Sequence, residues 1–321
     1  MYLGVRPEGV LLTAPQAKIL DDEFYLSDPL SHFSSRIAML LASKDHVVPP
    51  TTPTQPGFFR ALGLSGVDAL PPISQTGHRV QVALDALALR HQCAEAVERF
   101  LYAVTAESAA SDAACMWLAV AESPPRTIDV LKATKARFDA DQQLLLRLMF
   151  PAGTPITDDV LASARTALEW INHASYLLTD DELSINAAHN KLKHGLAVAA
   201  RDDVRIELVT IGPNENGEVP LSAFGEGESV PIFDRPLLTY LSRPHARPKQ
   251  GLEAVSLRVD LDTVLAETWM MATVYAALFH VAARNHFGED LPDGVAPFPT
   301  LVIGRTPDRV LGGKPLATGH P

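Results

Sequence analysis

Cysteine is nearly absent from this chain: Cys93 and Cys115 are the whole supply in 321 residues. Both fall inside apolar helical patterns, where a free thiol behaves as a small buried hydrophobe, so no disulfide framework is expected and a reducing setting suits the protein. Long hydrophobic runs are missing as well. The longest, Trp269 to Ala283, has 15 residues and includes His280, short of the ~20 that a membrane-spanning helix needs, so no membrane contact is expected. Met1 to Pro7, followed by mixed polar residues and the run Asp21-Asp22-Glu23, lacks the basic and apolar regions of a secretory signal, which makes the cytoplasm the expected location. An excess of positive charge is also lacking. With a formal net charge of -11 the chain as a whole repels nucleic acid, and an RNA partner requires a local basic patch.

Several signatures of chemistry do not occur. There is no Gly-x-Ser-x-Gly elbow, no His-Glu-x-x-His and no Glu-x-x-His pair, which leaves nucleophilic hydrolase, zinc-protease and carboxylate-bridged di-iron chemistry without their usual residues. Gly225-Glu226-Gly227-Glu228 contains glycines but is acidic, so it repels phosphate and reads as a hairpin turn. His91 with Glu95, and Glu169 with His173, each share a helix face, and His280 and His286 lie near the C-terminus. A metal-dependent helical-bundle enzyme requires three or more of His91, Glu95, Glu169, His173 and His280 to converge. Exposed ion pairs and satisfied core histidines are the plainer reading, and no cofactor is expected. Trp117, Trp170 and Trp269 read as core or subunit contacts.

What is present is mostly helical periodicity. Leu30, Phe33, Ile37, Leu40 and Leu41 predict an amphipathic helix opening at Asp28-Pro29, after an N-terminal loop. The prolines between Lys44 and Gly77 predict an extended connecting arm with at most a short turn near Phe58 to Leu64. His78 to Glu107 carries a broad apolar stripe, and Ser111 or Asp112 is placed to cap a helix through Met116 and Val120. Further helices are predicted over 127–150, from Thr157-Asp158-Asp159 towards Tyr176, and from Asp180, where Thr179 and Glu182 have the spacing of a capping box.

Beyond Arg201 the period changes to two. Val204 to Val209, a turn at Pro213 to Gly217, a return at Val219 to Phe224, and Val230 to Phe233 and Leu252 to Val259 predict a small antiparallel sheet. The Arg243 to Lys249 segment is basic and expected to be exposed. A helix over 263–286, apolar on nearly all sides from Trp269 to Ala283, should form the central pillar. The expected fold is thus mostly α (α+β): residues 1–77 as an N-terminal helix and arm, 78–288 as a helical bundle with a sheet inserted at about 204–259, and 289–321 as a Pro/Gly-rich tail.

Chemistry is most concentrated in Ala188-His189-Asn190-Lys191-Leu192-Lys193-His194-Gly195. Positive groups at a helix C-terminus, followed by a glycine suited to a left-handed cap, form a structural motif in their own right. The segment also resembles the signature of the HEPN superfamily, helical bundles many of which are metal-independent RNases of toxin and phage-defence systems. In that signature an Arg, often followed by a polar residue such as Asn, precedes a His by four to six positions near a helix end.

Here Asn190, the spacing and His194 are kept, while His189 stands where the Arg belongs. An Arg is permanently charged and forks onto phosphate, which a largely neutral His does not. The resemblance implies His194 as general acid/base, Lys191 or Lys193 as the charge facing the phosphorane, and Asn190 as the group orienting phosphate or imidazole. It also implies RNA as partner and a homo-oligomer pairing two such segments. The rival is a non-enzymatic helical interaction protein that oligomerises through an apolar helix face.

Overall fold

The computed structural model describes residues 4–6, 9–44, 74–106, 115–179, 185–193, 198–203, 205–214, 216–219, 229–242 and 251–312. The fold is mostly helical, α+β, with a small antiparallel sheet preceding the last long helix in sequence. A hairpin of β1 (Gly4–Arg6) and β2 (Gly9–Leu11) leads into α1 (Ala14–Phe24) and α2 (Pro29–Ser43). There follow α3 (Gln75–Thr105), α4 (Met116–Ala121), α5 (Thr127–Ala140), α6 (Leu144–Met149), α7 (Asp158–Thr179) and α8 (Ile185–Lys193). Strands β3 (Val198–Arg201), β4 (Arg205–Val209), β5 (Ser229–Asp234), β6 (Leu237–Ser242) and β7 (Glu253–Arg258) come next, then α9 (Leu261–Phe287) and α10 (Pro307–Leu311). The chain divides into two compact units, one of Met1–Ile37, Ala88–His189 and Asp262–Leu316, the other of Ala38–Leu87, Asn190–Leu261 and Ala317–Pro321.

Helix starts follow from side chains that accept the unpaired N–H groups of a first turn. Asp28 accepts from Ser31 at 2.9 Å, Ser74 from Gly77 at 3.0 Å and Thr157 from Val160 at 3.3 Å. Helix α1 occupies a stretch expected to be loop. Its Thr13–Gln16 capping box and the Pro in its first turn nucleate it. The predicted helix over 127–150 is two helices, because Asp141 leaves helical geometry (φ -141, ψ 96) and its carboxylate accepts the Gln143 N–H at 3.0 Å. Thr179, expected to form a capping box with Glu182, is the last residue of α7, and its hydroxyl donates back to the Ser175 carbonyl at 2.7 Å. Glu182 lies outside the described residues, as do most of the proline-rich arm, Ser111, Asp112, the Gly225–Gly227 turn and the Arg243 to Lys249 segment.

The first unit is cored by α3, α7 and α9. Leu89, Cys93, Val97 and Phe100, then Trp170, Ala174 and Leu177, then Met271, Val274 and Leu278 are all buried at three- and four-residue spacings. Each large side chain so buried contributes roughly 2 kcal/mol of hydrophobic stabilisation. By length and composition α9 also passes for a membrane span, but 83% of its apolar window is buried inside the protein, as in a core helix. Past Gly288, whose left-handed backbone (φ +84) ends α9, residues 289–306 hold no helix or strand and dock on the helices. His280 Nδ1 donates to the Ala296 carbonyl (2.8 Å), Trp170 Nε1 to the Arg305 carbonyl (2.8 Å), and the Gly304 N–H to Thr166 Oγ1 (3.0 Å).

In the second unit β6 pairs antiparallel with both β3 and β7. Leu238, opposite Leu257, and Tyr240, opposite Val198, put their side chains on the buried face. The Thr239 and Ser256 hydroxyls, 2.9 Å apart, occupy the other. Beyond Val219 the return predicted at Val219 to Phe224 lies outside the described residues, and among the described residues β4 has another partner. It pairs with β5, Val209 opposite Ser229. Arg79 of α3 reaches Asp202 just beyond β3 at 3.1 Å, and the His78 ring meets the Ser43 carbonyl at 2.6 Å.

Candidate functional site

Helix α8 carries most of the histidine segment. Ala188 is buried, Asn190 is exposed, and His189, Lys191 and Leu192 are half-buried. The His189 ring lies flat on that of His91 from α3, with centroids 3.6 Å apart and planes 14° from parallel. Lys193 is the last residue of α8. Its side chain, His194 and Gly195 lie outside the described residues. His189 is therefore used against a second imidazole, and Asn190, which follows it, is exposed.

His91 is itself only 7% exposed, and its chain neighbour belongs to a buried ionic cluster. Arg90 Nη1 donates to Glu267 Oε2 at 2.6 Å, with the two side chains 5% and 0% exposed. His173 Nε2 stands 3.7 Å from the same oxygen, its ring edge-on to Trp170 at 5.3 Å and stacked with Tyr176 at 6.2 Å. Burial favours the neutral form of Glu267, but the Arg90 charge and then His173 outweigh it, so the carboxyl sits below its ordinary value and is ionised at neutral pH. Among the described residues, buried Glu267 Oε1 and His173 Nε2 have no hydrogen-bond partner. Elsewhere on α3, Glu98 accepts from Ser175 Oγ at 2.6 Å. Burial pushes its carboxyl up to about 7 against that hydrogen bond.

Sequence periodicity does not reveal Arg90, Glu98 or Glu267, since each interrupts an apolar stripe as a surface residue would. The one available signal for Glu267 is that the apolar stretch from Trp269 to Ala283, beginning two residues later, marks its helix as a core element.

The remaining candidates separate. Glu95 pairs with Arg99 at 2.8 Å, Glu169 is exposed, and His286 meets Asp22 at 2.8 Å. Among the described residues no group of three or more His, Cys, Asp or Glu is arranged to hold a metal ion. Both thiols are buried and pushed up, Cys115 to about 11, chiefly by burial, which makes poor nucleophiles of them. Trp170 is core, whereas Trp117 and Trp269 are 45% and 40% exposed. The chain matches no protein-family model, no curated protein and no solved structure.

Proposed function

We propose that the protein is a HEPN-like RNA-binding protein that cleaves RNA without a metal, through the segment from His189 to His194. The observation that carries this is the stack of His189 on His91, which anchors the segment at its first residue, with Asn190 exposed and Lys191 half-exposed at the next two positions. In a chain of net charge -11, two lysines within three residues form the kind of local basic patch that a phosphodiester requires. His194 takes the proton of a ribose 2'-hydroxyl, whose oxygen attacks phosphorus as the P–O5' bond breaks, and the 5'-oxygen leaves with the proton handed back by the protonated His194. The products are a 2',3'-cyclic phosphate and a 5'-hydroxyl. Lys191 and Lys193 offset the charge that builds on the phosphorane, and Asn190 orients it. A cytoplasmic homo-oligomer with a defence or toxin role accords with that chemistry.

The test is incubation of the protein and its His194→Ala variant with a mixed RNA pool and chelator, followed by sequencing of the fragment ends. Cleavage lost in the variant supports the proposal. No cleavage by either protein, with the variant still folded, favours a non-enzymatic interaction protein. One observation supports that second reading: the residue at the arginine position is spent on packing.

A further inference from the structure

We propose that the buried cluster of Arg90, His173 and Glu267 is a binding site for one water molecule, shared between Glu267 Oε1 and His173 Nε2. All three residues belong to the first unit. Their side chains are 5%, 6% and 0% exposed, so bulk solvent does not reach the polar atoms they carry. An ionised carboxylate only accepts hydrogen bonds, through both of its oxygens. Glu267 uses Oε2 for the Arg90 Nη1–H at 2.6 Å. Among the described residues Oε1 has no hydrogen-bond partner, and neither has His173 Nε2. Burial favours a neutral Glu267, but the Arg90 charge and then His173 outweigh it. Oε1 is therefore half of a charged group in the core, where an acceptor without a donor is costly.

His173 does not supply that donor directly. Its Nε2 stands 3.7 Å from Oε2, beyond the ~2.7–3.2 Å of an N–H···O bond. Nor is the ring placed to close the gap. It lies edge-on to Trp170 at 5.3 Å and stacked with Tyr176 at 6.2 Å. Trp170 is itself fully buried, and its Nε1 is tied to the Arg305 carbonyl at 2.8 Å. Two buried polar groups held apart by more than about 3.5 Å are the arrangement that a water bridges.

The chemistry of the cluster selects the occupant. The Arg90 and Glu267 charges offset one another, so neither a cation nor an anion gains from entering. The carboxylate oxygen requires a donor, while the imidazole nitrogen donates or accepts according to its tautomer. A neutral molecule that does both is required. Close-packed interiors leave few voids larger than one water molecule, which sets its size. Two partners fall within the 2–4 that buried waters use. Among the described residues no set of His, Cys, Asp or Glu side chains is arranged for a metal ion in its place.

The experiment is a high-resolution crystal structure of the full chain, together with magnetic relaxation dispersion of the solvent nuclei, which counts long-lived internal waters in solution. The crystal is expected to show a solvent peak within about 3.2 Å of both Glu267 Oε1 and His173 Nε2. His173→Phe, which keeps a flat ring but no nitrogen, is expected to hold one long-lived water fewer than the wild type. A direct bond between Nε2 and Oε1 with no solvent peak overturns the proposal. A peak with the contacts of about 2.0–2.2 Å that a metal ion makes also overturns it, as does an equal count of long-lived waters in the two proteins. If His173→Phe fails to fold, the wild-type crystal structure decides alone.

Discussion

Removing the guanidinium of Arg90 should unbalance the core of the first unit more than any loss of apolar contact of similar size. The Arg90 and Glu267 side chains are 5% and 0% exposed and meet at 2.6 Å, so neither charge has water to return to. In Arg90→Ala the Glu267 carboxylate keeps only His173, 3.7 Å away. Breaking one side of such a pair costs about 3–5 kcal/mol, whereas replacing both members with apolar side chains of similar volume is often neutral or stabilising. Urea titration followed by tryptophan fluorescence is the assay, since Trp170 is buried edge-on to His173. The expected order is wild type and Arg90→Met/Glu267→Leu close together, with Arg90→Ala far below. The sign with pH follows from the lowered Glu267 value. The carboxylate's contribution is complete above its unfolded value near 4.5 and is lost as pH falls through the folded one, while in Arg90→Ala the stranded group relieves itself by taking a proton. The gap between wild type and Arg90→Ala must therefore narrow towards pH 4. An Arg90→Ala penalty under about 1 kcal/mol, or a double variant as unstable as the single one, would refute the reasoning.

Glu98 supplies a pH dependence of opposite sign. Its folded value of about 7 exceeds the ordinary 4.5, so stability should fall as pH rises between those values, by on the order of 3 kcal/mol in total. Glu98→Gln, which can still accept from Ser175, should flatten that slope in denaturation midpoints measured from pH 4 to 8. Asp21 should act as a helix cap supplied from another helix. Its carboxylate accepts from the Met116 and Trp117 N–H groups at 2.9 and 3.0 Å, while the N-cap residue Cys115 makes no such bond. Asp21→Ala is expected to cost about 1–2 kcal/mol and to speed hydrogen exchange in Met116–Ala121; an unaltered exchange rate there would remove Asp21 from this role.

The helical class, the sheet before the last helix and the centrality of α9 were legible because each rests on a period in the side chains. Starts at Asp28 and Thr157 were legible because one acceptor next to an apolar repeat has few other uses. What escaped was decided at a distance. Asp21 caps a helix that begins 95 positions later, and nothing near Met116 announces it. β6 was missed because Leu237 and Leu241 are apolar too, which hides the alternation of buried Leu238, Tyr240 and Ser242. In the candidate site the residue types were readable, but the inward turn of His189 was not, because it depends on an imidazole 98 positions earlier in the sequence.

The bond between Arg90 and Glu267 also sets a timetable for the growing chain. Its ends are 177 residues apart, and the three segments of the first unit alternate with those of the second. During vectorial synthesis α3 and α7 leave the ribosome with their apolar stripes and the Arg90 charge formed but unmatched, until the stretch that becomes α9 has been made. For that interval the nascent chain exposes the surface that drives aggregation. The long sequence separation also predicts a slow closing step, which makes this protein a natural client for a chaperone that shields helical hydrophobic faces.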